Sequence, residues 1–179
     1  MAVRVRVIEP PAPIVTLEEV KTFLRVSDDD ADTVITSLIV AAQAEFDGPT
    51  GWLGRCFGLQ KIEAITDPLC ADLRLPYADV TSVISVERYS AGQWSAIPSG
   101  EYQIEGNVLS AIDGTPWPAM DRARIVYTAG MNAGDPRLQQ LRTAIFFHVK
   151  IHFDDGDGSD RLRRLISNLV STLRDYACP

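Results

Sequence analysis

The hydrophobic period of this chain changes twice, and that change limits its fold more than any other feature. Between about Leu59 and Thr128 apolar residues alternate with polar ones. Lys61-Ile62-Glu63-Ala64-Ile65, Ile84-Ser85-Val86-Glu87, Tyr102-Gln103-Ile104-Glu105 and Arg124-Ile125-Val126-Tyr127-Thr128 all show it. A period of two is that of a half-buried strand. On both sides the spacing is three and four, as a helix requires. Ile35, Leu38, Ile39, Ala42 and Phe46 make one such stripe. Leu138, Leu141, Ile145 and Val149 make a second, and Leu162, Leu165, Ile166, Leu169, Val170 and Leu173 a third. Helices segregated from strands in this way predict an α+β fold. The expected architecture is a helical bundle from N- and C-terminal helices (about 16–50 and 135–176) with an inserted antiparallel β-rich region (about 59–129). At 179 residues, one domain spanning 1–179 is expected.

Local signals set the boundaries. Thr16 followed by Glu19 is a capping box, in which hydroxyl and carboxylate satisfy free amides at a helix start. Ser27-Asp28-Asp29-Asp30 is expected to break that first helix and to cap the next, the aspartates favouring its positive N-terminus. Gly48-Pro49 and Gly51 end the second helix. Ser90-Ala91-Gly92-Gln93 and Gly106-Asn107 read as hairpin turns, giving five or six short strands. Asp135-Pro136 opens a helix as cap and first residue. Ala144, Phe146, Phe147 and Ile151 make that helix apolar nearly all round, so it is either central in the core or covered by a second subunit. Val3, Val5 and Val7 alternate with arginines in an N-terminal arm that needs a partner, its own sheet or a neighbour's edge. Pro10, Pro11 and Pro13 then forbid a regular element.

The charge excludes some functions. A net charge of −7 argues against a chain that wraps nucleic acid through its average field. Arg161, Arg163, Arg164 and Arg174 on the last helix form the one local basic surface. No stretch approaches the roughly 20 apolar residues of a membrane span, and Arg4 and Arg6 interrupt the N-terminal apolar run, so no leader is expected. Cys56, Cys70 and Cys178 are widely spaced and odd in number, which points to reduced, structural thiols.

Four patterns invite a chemical reading, and each fails on its residue types. In Asp154–Asp160, aligning Gly158 with the glycine of a calcium loop puts Phe153 and Arg164 where that loop needs oxygen ligands. His148 and His152 have zinc-binding spacing, but Val149-Lys150-Ile151 between them supplies no glutamate base. Gly48, Gly51 and Gly54 are followed by no Gly-Lys-Ser/Thr, as a phosphate loop would require. Cys56 has no activating partner readable in sequence. The residues thus designate no catalytic, cofactor or metal site, and no enzyme is expected.

The order of these features is more specific than any one of them. Pro13-Ile14-Val15-Thr16-Leu17-Glu18-Glu19-Val20-Lys21 and Phe23-Leu24-Arg25-Val26 lead into the Asp28–Asp30 turn. The helix from Ile35 to Phe46 and Thr50-Gly51 come next, then Arg124-Ile125-Val126-Tyr127-Thr128-Ala129-Gly130 and the helix with Ala144-Ile145. In this order the chain resembles the head–tail connector (adaptor) proteins of tailed bacteriophages, prophages and gene transfer agents. The resemblance spans most of residues 13–153. It implies a structural protein without an active site, made in the bacterial cytoplasm and resident in the neck of a virion or virus-like particle. Copies would form a homo-oligomeric ring, typically of twelve, below the portal protein. The ring would extend the DNA channel and offer a surface to stopper or tail proteins, with double-stranded DNA passing through without specific binding. C-terminal segments reach the portal in that family, which here points to Leu173, Arg174 and Tyr176. The alternatives are another neck or tail-completion protein, or a small soluble enzyme or metal-binding module.

Overall fold

A computed structural model describes residues 3–77, 79–112, 115–154 and 159–174. Strand β1 (Val3–Glu9) is followed by helices α1 (Leu17–Leu24) and α2 (Asp32–Phe46). Strands β2 (Gln60–Thr66), β3 (Leu73–Arg74), β4 (Val80–Ser90), β5 (Gln93–Ala96), β6 (Tyr102–Glu105), β7 (Val108–Ala111) and β8 (Arg122–Ala129) come next. Helices α3 (Pro136–Phe153) and α4 (Ser159–Ser171) complete the described elements. The α+β reading holds, with helices at both ends of the chain and every strand pairing antiparallel.

The strands form two sheets. One has the order β1-β2-β8-β4-β5 and the other β3-β7-β6. Their inner faces share a core in which Ile62, Ala64, Val86, Ile125 and Tyr127 of the larger sheet meet Leu73 and Leu109 of the smaller, joined by Leu69, Leu75 and Ile97 from the connections. The alternation along β2, buried at every second residue, is what packing on one face produces. Two-residue turns close the hairpins. Ala91 and Gly92 both have positive φ, as a type I′ turn demands, whereas between β6 and β7 the described positive φ falls on Gly106. Among the described residues seven strands lie between 60 and 129 rather than five or six. The two-residue β3 is too short to show alternation in sequence.

The N-terminal arm finds its partner within the chain. Val3 to Val7 pair with Thr66 to Ile62, placing β1 at one edge of the larger sheet, its outer edge unpaired among the described residues. The helices make a second core. α3 runs between the others and packs against α1, α2 and α4. Leu141, Ala144, Ile145 and Val149 are buried, while Phe146 stacks on Phe23 of α1 at 5.3 Å between ring centroids and Phe147 meets it tilted at 6.0 Å. The near-complete apolar girth of α3 is therefore met by the chain's own helices.

The capping box at Thr16 and Glu19 forms as expected, and Asp135 accepts from the amide of Arg137 at the start of α3. The aspartate turn behaves differently. The residue at the cap position of α2 is Ala31, with no side-chain capping bond. Asp29 and Asp32 instead each lie 2.7 Å from the Lys21 ammonium. Lys21 has its stem buried by α1 packing, so the nearest carboxylates turn to its charge instead of to the helix amides.

Candidate interaction surfaces

The α2 exit joins the two cores. The Asp47 carboxylate is buried and accepts from the amides of Phe57 (2.6 Å) and Gly58 (3.1 Å) and from the Gln60 side chain (3.3 Å). Burial raises its pKa, against the lowering effect of these donors. One turn earlier, Gln43 accepts from the Ile14 amide and donates to the Ala12 carbonyl, at 2.8 and 3.2 Å. Arg142 of α3 donates to the Ile14 carbonyl and pairs with Glu19. The proline arm, α1, α2 and α3 are thereby held in one arrangement. Sequence gave no sign of Asp47 as a hub, because a single Asp after a helix looks like any other helix end.

A charged cluster ties the sheet to the helices at the same junction. Asp79, just before β4, faces Arg55 of the exit loop at 3.4 Å and Arg137 of α3 at 3.1 Å. Arg137 also pairs with Asp135 at 2.7 Å. The Asp79 carbonyl accepts from Gly130, which has φ 147 and whose missing Cβ would lie 2.6 Å from the Gly58 carbonyl oxygen. Only glycine fits there.

The residues singled out for chemistry occupy the following places where described. Gly48 and Gly54 take positive φ in the exit loop, and a Cβ on Gly51 would lie 2.6 Å from the Asp47 and Phe46 carbonyls. Cys56 is buried and Cys70 exposed, neither in a disulfide, and Cys178 lies outside the described residues. Asp154 pairs with Lys150, and Asp160 with Arg163; the rest of the would-be calcium loop, 155–158, is outside the described residues. His148 and His152 do approach, at 4.6 Å between centroids, in a cleft between α2, α3 and α4 that also holds Trp52. His148 places Nε2 at 2.7 Å from Glu45, while its Nδ1 is buried and without a hydrogen-bond partner. Among the described residues no group of three or more His, Cys, Asp or Glu side chains is arranged to hold a metal. No described helix is long and apolar enough to cross a membrane.

The C-terminal residues are divided. Leu173 is buried in the helical core, and Arg174 lies over the Trp52 ring at 5.7 Å. Tyr176 lies outside the described residues.

Several large apolar side chains are exposed. Val34 and Val40 of α2, Ile84 on β4, Leu59 and Trp52 are each more than two-fifths exposed. A groove of about 310 Å³ runs between the proline arm and α2, lined by Val7, Pro10, Pro11, Pro13, Val40 and Ala44 among others.

Residues 14–73 match the family model of phage gp6-like head-tail connector proteins. No curated protein sequence matches the chain. Among solved structures, a chain in the neck of an empty gene transfer agent (GTA) particle computed with C6 symmetry is 18% identical, with a TM-score of 0.75 over 100% of this chain and 98% of that one. A chain in the virion of a native GTA particle is 17% identical, with a TM-score of 0.73 over 98% of this chain and 97% of that one. A chain in the neck of the native particle computed with C12 symmetry is 18% identical, with a TM-score of 0.65 over 97% of each chain. The stretch from Ile14 through α1, α2, their exit, β2 and β3 is thus similar to the phage gp6-like head-tail connector model, on a chain whose whole fold is that of these GTA neck and virion subunits.

Proposed function

We propose that this chain is a head–tail connector subunit of a phage or phage-like particle. One connector unit spans residues 1–179 and forms a ring below the portal that extends the DNA channel and joins capsid to tail. The observation that carries this is the coincidence of the family match over 14–73 with end-to-end agreement with neck subunits. The ring form is supported by the cyclic symmetry of the neck structures that share the fold. A structural role without catalysis accords with carboxylates that bind one element to another, Asp47 through hydrogen bonds and Asp79 through ion pairs. The portal, stopper or tail proteins and the DNA in the lumen are the partners that this role requires. An acidic subunit suits that lumen, since a surface that does not bind phosphate lets DNA slide. Leu173, Arg174 and Tyr176 mark the segment proposed to reach the portal, and of these Leu173 is buried in the helical core.

Electron microscopy of particles made without this gene tests the proposal. DNA-filled heads lacking tails are expected. Normal tailed particles would refute it.

A further inference from the structure

A subunit that closes a ring needs two different surfaces, one for each neighbour. The helical half offers two that differ in character. α2 and α4 both pack on α3, and their outer faces point away from it. The outer face of α2 presents Thr33, Val34, Ser37, Val40, Ala41 and Ala44, all exposed, with Val34 at 54% and Val40 at 59%. No basic residue lies on α2, and residues 21–32 at its N-terminal end hold four aspartates against Lys21 and Arg25. Asp28 and Asp30 are exposed there and form no ion pair among the described residues. The outer face of α4 is the converse. Arg161, Arg164, Leu165 and Asn168 are exposed, Leu165 at 39%, and the described helix carries three arginines against Asp160, with Asp154, Asp155 and Asp157 preceding it in the sequence.

We infer that the outer face of α2 seats the outer face of α4 from a second copy, and that this contact, repeated, closes the ring. It deepens the connector reading and rests on it. Charge decides the occupant and the direction. A valine face with acids at its N-terminal end calls for an apolar residue flanked by cations near a helix start. The first turns of α4 supply Leu165 beside Arg161 and Arg164. Laid parallel, the two helices bring these arginines to Asp28 and Asp30 and set Leu165 on Val34. The small residues Ser37, Ala41 and Ala44 allow the roughly 8–10 Å axial separation of packed helices. The apolar core excludes water while the charges fix register and orientation.

The test uses two variants of the full chain, in sedimentation velocity over a concentration series at low salt. Val40→Glu disables the α2 face, and Arg164→Glu with Leu165→Glu disables the α4 face. All three sites are exposed, so an unchanged melting temperature is the control; Val34→Glu replaces Val40→Glu if that variant does not fold. Each alone is expected to weaken self-association by at least about 10-fold, as loss of a central anchor does. An equimolar mixture retains one good pair of faces and is expected to stop at a 1:1 dimer. The contact is overturned if either variant assembles like the wild type or if the mixture forms no dimer. A wild type that stays monomeric throughout the series also overturns it. Tailless heads on gene deletion, found together with such a result, would refute this contact and leave the connector reading standing.

Discussion

At the scale of single residues, a buried carboxylate, Asp47, and a half-buried imidazole, His148, carry consequences. Asp47 accepts from the backbone amides of Phe57 and Gly58. Asp47→Ala leaves the Phe57 amide buried and unpaired, and with it the start of the exit loop. A loss of about 2–3 kcal/mol is expected in chemical denaturation, the cost of stranding donors bonded to a charged group. His148 is harder to protonate than a free imidazole. Burial lowers its pKa from 6.5 and outweighs the attraction of Glu45, and protonation would add a donor at a buried Nδ1 that has no acceptor. The sign follows from that lowering. An unfolded His148 takes up its proton near 6.5, and the folded one only at lower pH. Its contribution is present above 6.5 and is lost as the pH falls through the lowered folded value. Melting temperature should therefore drop on acidification below pH 6.5, and His148→Gln should flatten that part of the profile.

At the scale of elements, the capping box at Thr16 and Glu19 follows a purely local rule, and sequence reads such rules well. Thr16→Ala removes the acceptor of the Glu19 amide, and about 1 kcal/mol of stability with it, measurable by thermal melts. The aspartate turn shows the limit of local rules. Asp28 to Asp30 carry the right side chains to cap α2, yet the nearby Lys21 takes Asp29 and Asp32. A charge brought in by α1 packing outcompetes a neutral amide, and nothing within the turn announces it. α3 is a similar case. Its periodicity says that nearly every face is apolar and leaves open what covers them. The fold resolves this by wrapping α1, α2 and α4 around it, so that Phe146 and Phe147 meet Phe23.

At the scale of the molecule, two cores are joined by a few polar contacts, and Asp79 is central among them. It has φ 70, a left-handed conformation that Asp and Asn tolerate. Asp79→Asn thus keeps the backbone and removes the charge facing Arg55 and Arg137. A loss of about 1–2 kcal/mol is expected, because the groups are partly exposed. Amide exchange should rise first at the sheet–helix junction around Gly130, not within either core. Uniform protection after the substitution would show that the cores are coupled by packing alone.

Sequence by itself determined the kind of elements and most of their limits, because hydrophobic period, capping side chains and turn residues act over a few positions. The alternation of β2, the stripes of α2 and α4, the Asp135-Pro136 start and the Ala91-Gly92 turn are all of this type. The order of those elements also carried the family resemblance. Tertiary structure alone decided which surfaces are used up and which are left. Valines of β1 and phenylalanines of α3 have the same apolarity whether they meet their own chain or a neighbour, so composition cannot tell the two cases apart. Folding closes β1 onto β2 and covers α3, and it leaves Val34, Val40 and Leu165 facing outward. Burial depends on contacts between residues far apart in sequence, and those exist only once the chain has folded.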